Sequence, residues 1–238
     1  MIATTWEFKN RALVFGLIFG VAFAFYAVDR QTSAAALADW IAPWLHADAE
    51  MVARLLFWVA ALLVAVAAFI RTWASSYLNA AVVYAAQVKT ESLVGDGPYR
   101  YVRNPLYLAN VLMAAGMGAM MSRSGFFVAV AAMAIFCYRL IFREEAELRG
   151  GQGHSYESYA NSVPRMFPAP RPRVASSGRP ADWRAGFKAE AWFWGFAAGV
   201  AAFAITLKPA FFFGILAASI VLFWVSSIII EKKSRPQL

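Results

Sequence analysis

The sequence contains very little cysteine and histidine. The single cysteine, Cys137, excludes an internal disulfide framework and a cysteine-rich metal site. The two histidines, His46 and His154, lie far apart in sequence, which argues against a histidine-based metal centre. We therefore expect no bound metal.

Charged residues are also scarce, at 15% of the 238 residues, whereas 61% are hydrophobic and the mean hydropathy is +0.54. Soluble domains are about 25% charged and about 45–50% apolar, so a soluble globular enzyme is not expected. A chain this apolar does not remain disordered in water either. The composition indicates an integral membrane protein.

Six apolar runs are long enough, or nearly so, for membrane helices, which need roughly 17–25 residues. They cover residues 12–28, 51–70, 106–121, 125–142, 191–207 and 210–230. Short turns join the third run to the fourth and the fifth to the sixth, so two helical hairpins are predicted. No β-alternation or internal repeat competes with this interpretation. The predicted fold is an all-α, polytopic transmembrane bundle of about six helices.

The positions of the basic residues predict the orientation of the bundle. Eighteen Lys and Arg residues lie on the side that holds both termini and the long polar segments, and four lie on the other side. This distribution predicts cytoplasmic termini, and contact of the basic charge with anionic lipids rather than nucleic acid. The first apolar run also has features of a cleaved signal peptide, but the chain goes on to span repeatedly, which favours a retained helix.

A first polar cluster, residues 93–107, leads into the third apolar run. Gly97 and Pro98 favour a turn, and Asn104 is expected to cap a helix that begins at Pro105. Such a helix start presents N–H groups and a partial positive charge to an anion. An interfacial loop with snorkelling arginines is an equally simple interpretation. Three tyrosines add flat faces and hydroxyls: Tyr99, Tyr101 and Tyr107.

A second polar cluster begins within the fourth run. Arg139 and Arg143 lie four residues apart on one helical face, and Glu144, Glu145 and Glu147 follow. The carboxylates could bind a ligand ammonium group and the arginines an anionic head group. The simpler alternative is a solvated helix end with an Arg143–Glu147 ion pair.

The hairpin at 106–142 returns the chain to its starting side, so the two clusters are expected to meet in a cytoplasmic pocket. A carboxylate, a helix start and aromatic walls would suit a zwitterionic amino acid attached to a heteroaromatic ring. S-adenosylmethionine is such a molecule, although these residues by themselves do not single it out.

Three ordered motifs resemble a known superfamily. They are Gly97-Pro98-Tyr99-Arg100-Tyr101-Val102-Arg103-Asn104-Pro105-Leu106-Tyr107, then Glu144-Glu145-x-x-Leu148, then Gly153-x-x-Tyr156-x-x-Tyr159-x-x-x-Val163-Pro164-Arg165. Their order and spacing are similar to those of the isoprenylcysteine carboxyl methyltransferases and phospholipid methyltransferases. The resemblance covers about residues 70–170, including Arg71-x-Trp73-Ala74. We therefore divide the chain into a methyltransferase core, 1–173, and an additional C-terminal transmembrane hairpin, 174–238.

The resemblance implies methyl transfer from S-adenosylmethionine, with S-adenosylhomocysteine as product, to an amphipathic or lipid-like acceptor at the cytoplasmic membrane face. It implies catalytic roles for Arg139 and Glu144 and a substrate-binding role for Arg139 and Arg143. The implied cofactor contacts are Leu93, Val94, Tyr99, Asn104, Pro105, Leu106, Tyr107, Glu144 and Glu145. Membrane lipids and a hydrophobic or lipidated acceptor are the expected partners.

Two departures from the superfamily pattern bear on the acceptor. Asn104 stands where the family usually has His, and Arg165 follows Val163 and Pro164 where the eukaryotic prenylcysteine enzymes have Thr. Both argue against a prenylated-protein substrate more than against methyl transfer. The acceptor therefore stays open among an isoprenylcysteine-like carboxylate, a phospholipid amine, a quinone or lipid hydroxyl, and a small hydrophobic acid. The oligomeric state and the role of residues 174–238 also stay open, and shielding of the pocket from lipid is one hypothesis for that segment.

Two other functional classes compete with the methyltransferase. A membrane reductase of the sterol reductase type would use NADPH and need a basic phosphate-binding site, for which only scattered arginines are available. A non-catalytic scaffold or transporter would bury charges within its spans, whereas the apolar runs here carry polar groups mainly at their ends.

Overall fold

The computed structural model describes residues 2–78 and 95–234, with side chains described as far as residue 221. Two predicted cofactor contacts, Leu93 and Val94, lie outside the described residues. Within the described part the chain is helical, and an isolated bridge pairs Thr32 with Ser122. The helices are α1 Thr5–Lys9, α2 Arg11–Ala24, α3 Ser33–Leu45, α4 Ala49–Ser75, α5 Pro105–Gly118, α6 Arg123–Gln152, α7 His154–Ser162, α8 Trp183–Thr206 and α9 Pro209–Ser234.

The apolar runs predicted from the sequence all fall on helices. Three helices, α4, α6 and α8, are long and apolar enough to cross a membrane. Three further apolar helices are shorter over their described residues: 11–27, 105–118 and 209–221. The predicted helical membrane bundle is therefore confirmed.

Helix α4 is central to the packing. It contacts α3, α5 and α8, and small residues along it are buried, including Ala60, Ala67 and Ala68. A Cβ added to Gly116 of α5 would lie 2.6 Å from a methyl carbon of Val64, so the glycine permits a close helix approach. Small residues at helix interfaces allow this kind of packing without a hydrophobic driving force in lipid.

The C-terminal hairpin packs against α4 through α8. A Cβ on Gly186 would lie 2.6 Å from the Thr72 carbonyl oxygen, so α8 and α4 approach almost backbone to backbone. Gly195 and Gly199 form a small-x-x-x-small pair whose faces contact Ser219 and Phe212 of α9. This pair therefore serves packing within the chain.

Helix α3 was not among the predicted elements. Its alanines at positions 34, 38 and 42 are buried, whereas Trp40 and Trp44 are 69% and 78% exposed. The Ser33 amide donates a 2.6 Å hydrogen bond to the Met121 carbonyl, so α3 begins against the turn between α5 and α6. An amphipathic helix with exposed tryptophans is suited to the membrane interface, where indole rings anchor. With 13 residues it is shorter than the roughly 17–25 residues of a membrane span, so the lengths of the apolar runs did not predict it.

Two helices extend well beyond their predicted apolar runs. Helix α6 continues to Gln152, ten residues past the predicted end, and α8 begins at Trp183, eight residues before the predicted start. Charged and polar residues such as Arg, Lys and Glu propagate a helix well, although they lower its hydropathy. As a consequence Glu144, Glu145 and Glu190 are held on helices rather than in loops.

Candidate active site

The hairpin of α5 and α6 brings the two polar clusters together. The Tyr107 hydroxyl donates a 2.6 Å hydrogen bond to Oε1 of Glu144. The Asn104 side-chain amide donates a 3.2 Å hydrogen bond to Oε1 of Glu145. The start of α5 and the polar end of α6 thus form one site, as expected from the hairpin.

Glu144 and Tyr107 form the inner part of this site. Tyr107 is buried, at 8% exposed, and Glu144 is half-buried. A hydrogen bond to a charged carboxylate is shorter and stronger than one between neutral groups. A carboxylate can accept several hydrogen bonds, so Tyr107 orients Glu144 and leaves it able to accept from a ligand cation.

Glu145 points into a cluster of arginines instead. It is 1% exposed, and its carboxylate lies 3.0 Å from Arg165, 3.4 Å from Arg103 and 3.6 Å from Arg149. One carboxylate that binds three guanidinium groups ties the loop before α5, the end of α6 and the segment after α7 together. The predicted cofactor contact Glu145 is thus placed as the centre of an ion-pair network.

Asn104 precedes α5, and Pro105 is its first residue, as predicted. Asn104 holds the predicted N-cap position, but the capping hydrogen bond expected of its side chain is not made. The side chain donates instead to Glu145 and, at 3.0 Å, to the Arg165 carbonyl. The stronger electrostatic attraction of a buried carboxylate explains this choice. The first-turn N–H groups of α5 are therefore not occupied by this side chain.

Tyr99 places an unusual hydroxyl in the site. The residue is 8% exposed, and its hydroxyl is buried without a hydrogen-bond partner among the described residues. Its backbone carbonyl is fixed by a 2.8 Å hydrogen bond from the Tyr159 hydroxyl. Burial raises the pKa of Tyr99 well above its usual value, and the nearby Tyr159 and Glu144 raise it further. Buried hydroxyls usually have a hydrogen-bond partner, and none of the described residues supplies one for Tyr99.

The turn before Tyr99 is held by Asp96. The carboxylate of Asp96 accepts hydrogen bonds from the Ser176 hydroxyl at 2.6 Å and from the Ser177 amide at 2.9 Å. These bonds lower the pKa of Asp96. Gly97 has a φ of +58°, a conformation that favours glycine. The turn is thus pinned to the segment that leads to α8.

Arg139 and Arg143, predicted to bind substrate, lie on α6 and contact the N-terminal part of the chain. Arg139 forms an ion pair with Glu7 at 2.7 Å, and Arg143 pairs with Glu147 at 2.8 Å. Arg143 also donates to the Ala3 carbonyl at 3.2 Å. The Arg143–Glu147 pair is the one expected from a simple helix end. Both arginines stay partly exposed, at 23% and 21%, beside the site.

A second buried network, which the sequence patterns did not predict, lies between α4, α5 and α8. Arg71 Nε lies 2.6 Å from Oε2 of Glu190, and Arg71 Nη1 donates to Asn110 Oδ1 at 2.8 Å. The Ser75 hydroxyl donates to Glu190 Oε1 at 2.7 Å. Arg71 directly follows the predicted apolar run 51–70, and it lies inside α4 at 6% exposed. Its signal was an arginine at the end of a predicted span, four residues from a serine.

A surface cleft of about 410 Å³ lies beside Arg103 and Arg173 and residues 160–164. It contains none of the predicted cofactor contacts among its described lining residues. Elsewhere in the described part of the chain, no group of three or more His, Cys, Asp or Glu side chains is placed to hold a metal ion.

The segment that carries α5 and most of α6 is similar to a known family. Residues 55–150 match the phospholipid methyltransferase family. This segment is part of the integral membrane methyltransferase superfamily that includes the isoprenylcysteine enzymes. The resemblance seen in the motifs is therefore confirmed. The methyltransferase segment contains Arg71, Tyr107 and both carboxylates, whereas Glu190 lies outside it.

Two curated proteins are similar to part of the chain. One is the cobalt-zinc-cadmium resistance protein CzcN of Cupriavidus metallidurans, 29% identical over 51% of this chain and 53% of its own length. The other is the nickel-cobalt-cadmium resistance protein NccN of Alcaligenes xylosoxydans xylosoxydans, 31% identical over 41% of this chain and 43% of its own length. The chain thus spans about half the length of these relatives. No solved structure matches the chain significantly.

Proposed function

We propose that this protein transfers a methyl group from S-adenosylmethionine to an amphipathic, lipid-like acceptor at the cytoplasmic face of a membrane. The observation that carries the proposal is the 2.6 Å hydrogen bond from Tyr107 to Glu144. It holds a half-buried carboxylate next to the start of α5, within the methyltransferase segment.

The residues present suit the cofactor's charged groups. Glu144 can bind an ammonium group, and the first-turn N–H groups of α5 can bind a carboxylate. The Tyr99 hydroxyl, which has no hydrogen-bond partner among the described residues, can supply a further hydrogen bond. The proposed contacts are thus Tyr99, Asn104 to Tyr107, and Glu144, and Leu93 and Val94 complete the set in the part of the chain outside the described residues. S-adenosylmethionine supplies an electrophilic methyl group on a sulfonium.

Glu145 has a supporting task in this proposal. It is 1% exposed and draws Arg103, Arg149 and Arg165 around itself. Since Asn104 donates to the same carboxylate, the network sets the position of the α5 start. We therefore assign Glu144 to cofactor binding and Glu145 to the alignment of the elements that surround it.

The chain's contribution to catalysis is binding, orientation and the exclusion of water. Arg139 and Arg143 lie beside the site on one face of α6 and are partly exposed, so they can bind an anionic group of the acceptor. An apolar tail would lie among the membrane helices. A carboxylate acceptor requires no base, whereas an amine must lose a proton.

Two acceptor classes remain candidates. A carboxylate resembling that of an isoprenylated cysteine agrees with the motifs, and the match to the phospholipid methyltransferase family favours a phospholipid amine. Both acceptors would reach the site from the membrane. The 18 to 4 distribution of basic residues supports a cytoplasmic site with cytoplasmic termini.

Calorimetric titration of the detergent-purified protein tests the cofactor proposal. We expect micromolar binding of S-adenosylhomocysteine, no binding of NADPH, and at least about tenfold weaker S-adenosylhomocysteine binding by Glu144→Gln. Glu147→Gln is the matched control, because Glu147 lies on the same helix but pairs with Arg143. Binding of NADPH alone would instead support a reductase, and binding of neither would contradict an enzyme of either type.

The acceptor class can be read from the chemistry of the product. Incubation with membrane lipids and methyl-labelled S-adenosylmethionine should label a lipid-extractable product. Treatment with alkali releases labelled methanol from a methyl ester and leaves an N-methyl group intact. Alkali-labile label would therefore support the carboxylate acceptor, and alkali-stable label would support the amine.

A further inference from the structure

The Arg71–Glu190 pair is a buried charge pair that the proposed reaction does not use. Arg71 lies on α4 within the methyltransferase segment, and Glu190 lies on α8 outside it. Two contacts join them, at 2.6 Å and 3.2 Å, in a bidentate arrangement. Glu190 is 0% exposed and Arg71 is 6% exposed. The C-terminal hairpin therefore places a buried negative charge, that of Glu190, against the segment that carries the site.

The surrounding contacts fix this pair in one geometry. Asn110 accepts from Arg71 at 2.8 Å, and the Ser75 hydroxyl donates to Glu190 at 2.7 Å. The Arg71 guanidinium also lies 4.0 Å from the centre of the Phe193 ring. Asn110 follows Tyr107 by one turn of α5, so the pair is one helical turn deeper than the Tyr107–Glu144 hydrogen bond.

The pair is close enough to affect the proposed cofactor site. Arg71 donates to Asn110, which lies about one turn of α5 from Tyr107 of the site. Besides burial, the charges of Glu144, Arg71 and Glu190 all affect the pKa of the Tyr99 hydroxyl. In a low-dielectric interior, a charge about one helical turn from the site changes the free energy of a bound ion substantially. The net charge of Arg71 and Glu190 should therefore affect the affinity of the site for a charged ligand.

We propose that Glu190 is a positioning and charge-balancing residue for the cofactor site: by neutralising Arg71 it allows the site to accept a cationic ligand. The proposal rests on the proposed function. S-adenosylmethionine carries a positive sulfonium, whereas S-adenosylhomocysteine has a neutral thioether in the same place. Without Glu190, Arg71 keeps its charge at any accessible pH and repels the sulfonium. The C-terminal hairpin is in this view a part of the active enzyme.

The proposal can be tested without measuring activity, by comparing the dissociation constants of S-adenosylmethionine and S-adenosylhomocysteine. Glu190→Gln should weaken binding of S-adenosylmethionine on the order of tenfold more than binding of S-adenosylhomocysteine. The double variant Arg71→Met with Glu190→Gln removes both charges and should restore the wild-type ratio. A purely structural role would weaken both ligands equally, so equal weakening by Glu190→Gln overturns the proposal.

A second variant covers the case in which Glu190→Gln does not fold. Arg71→Gln removes the positive partner of Glu190. At alkaline pH the charged Glu190 carboxylate should then attract the sulfonium, so S-adenosylmethionine should gain affinity relative to S-adenosylhomocysteine. No shift, or a shift in the same direction as Glu190→Gln, would overturn the proposal. If wild-type protein binds neither ligand, it is the proposed function that fails rather than the role of Glu190.

Discussion

The Asn104 amide donates a 3.2 Å hydrogen bond to the Glu145 carboxylate across 41 positions of sequence. Three residues further along α5, Tyr107 donates to Glu144, the neighbour of Glu145. Two adjacent carboxylates on α6 thus meet two residues at the start of α5. They differ in surroundings, since Glu145 is enclosed by arginines and Glu144 remains half-buried and accepts a hydrogen bond from Tyr107.

Removing the hydroxyl of Tyr107 should weaken cofactor binding while the fold is kept. Tyr107→Phe deletes the donor to Glu144 and retains the ring, so Glu144 loses its fixed orientation. We expect S-adenosylhomocysteine affinity to fall by about three- to tenfold, in line with roughly 1 kcal/mol for a hydrogen bond. Calorimetric titration measures this. Tyr138→Phe, where the ring lies against Phe142, is the control, and an equal loss in both variants would contradict the assignment.

Replacing Glu145 should affect stability more than ligand contacts. Glu145→Ala leaves Arg103, Arg149 and Arg165 without their shared carboxylate, and loss of one partner of a buried ion pair costs about 3–5 kcal/mol. We expect a clearly lower thermal unfolding midpoint in detergent. Glu147→Ala removes a partly exposed pair with Arg143 and should change stability by less than about 1 kcal/mol. Similar midpoints for the two variants would argue against the network.

At acidic pH the segment 174–182 should detach from the turn at Asp96, to which Ser176 and Ser177 bind it. Hydrogen bonds from Ser176 and Ser177 lower the pKa of Asp96 in the folded state. The stabilisation is therefore complete above the usual carboxyl pKa of about 3.9 and is lost as the pH falls through the lowered value. The protection of the backbone amides of residues 174–182 against hydrogen exchange, taken relative to their intrinsic exchange rates, should decrease over that acidic range. In Asp96→Asn the exchange should already be fast at neutral pH, and an unchanged acid profile in this variant would contradict the prediction.

The orientation of the bundle can be tested with single cysteines. Cys137 is buried, so the background reaction with a membrane-impermeant maleimide should be low in intact cells. Ala175→Cys, in an exposed segment on the side rich in basic residues, should be protected. Lys208→Cys, at the exposed turn between α8 and α9, should be labelled. Labelling of position 175 but not 208 would reverse the proposed topology.

The helical class and the positions of the apolar helices followed from composition and from the lengths of the apolar runs. Both are local properties, because a membrane segment must satisfy its backbone hydrogen bonds within itself. The hairpin 106–142 was likewise predicted, and with it the meeting of the two polar clusters, whereas the hydrogen bond from Tyr107 to Glu144 was not. The motif residues in this hairpin agree with the family that residues 55–150 match.

Other features depended on contacts between distant parts of the chain. Asn104 has a residue type suited to a helix cap, yet a buried carboxylate 41 residues away binds its amide more strongly. The sequence places Arg71 at the end of an apolar run, near the membrane surface. Its partner Glu190 reaches it because α8 begins earlier than its apolar run. Hydropathy along the sequence locates helices but carries no information on which charged side chains face each other. Tertiary packing alone decided those partners, because a buried charge is stable only where another element supplies its counter-charge.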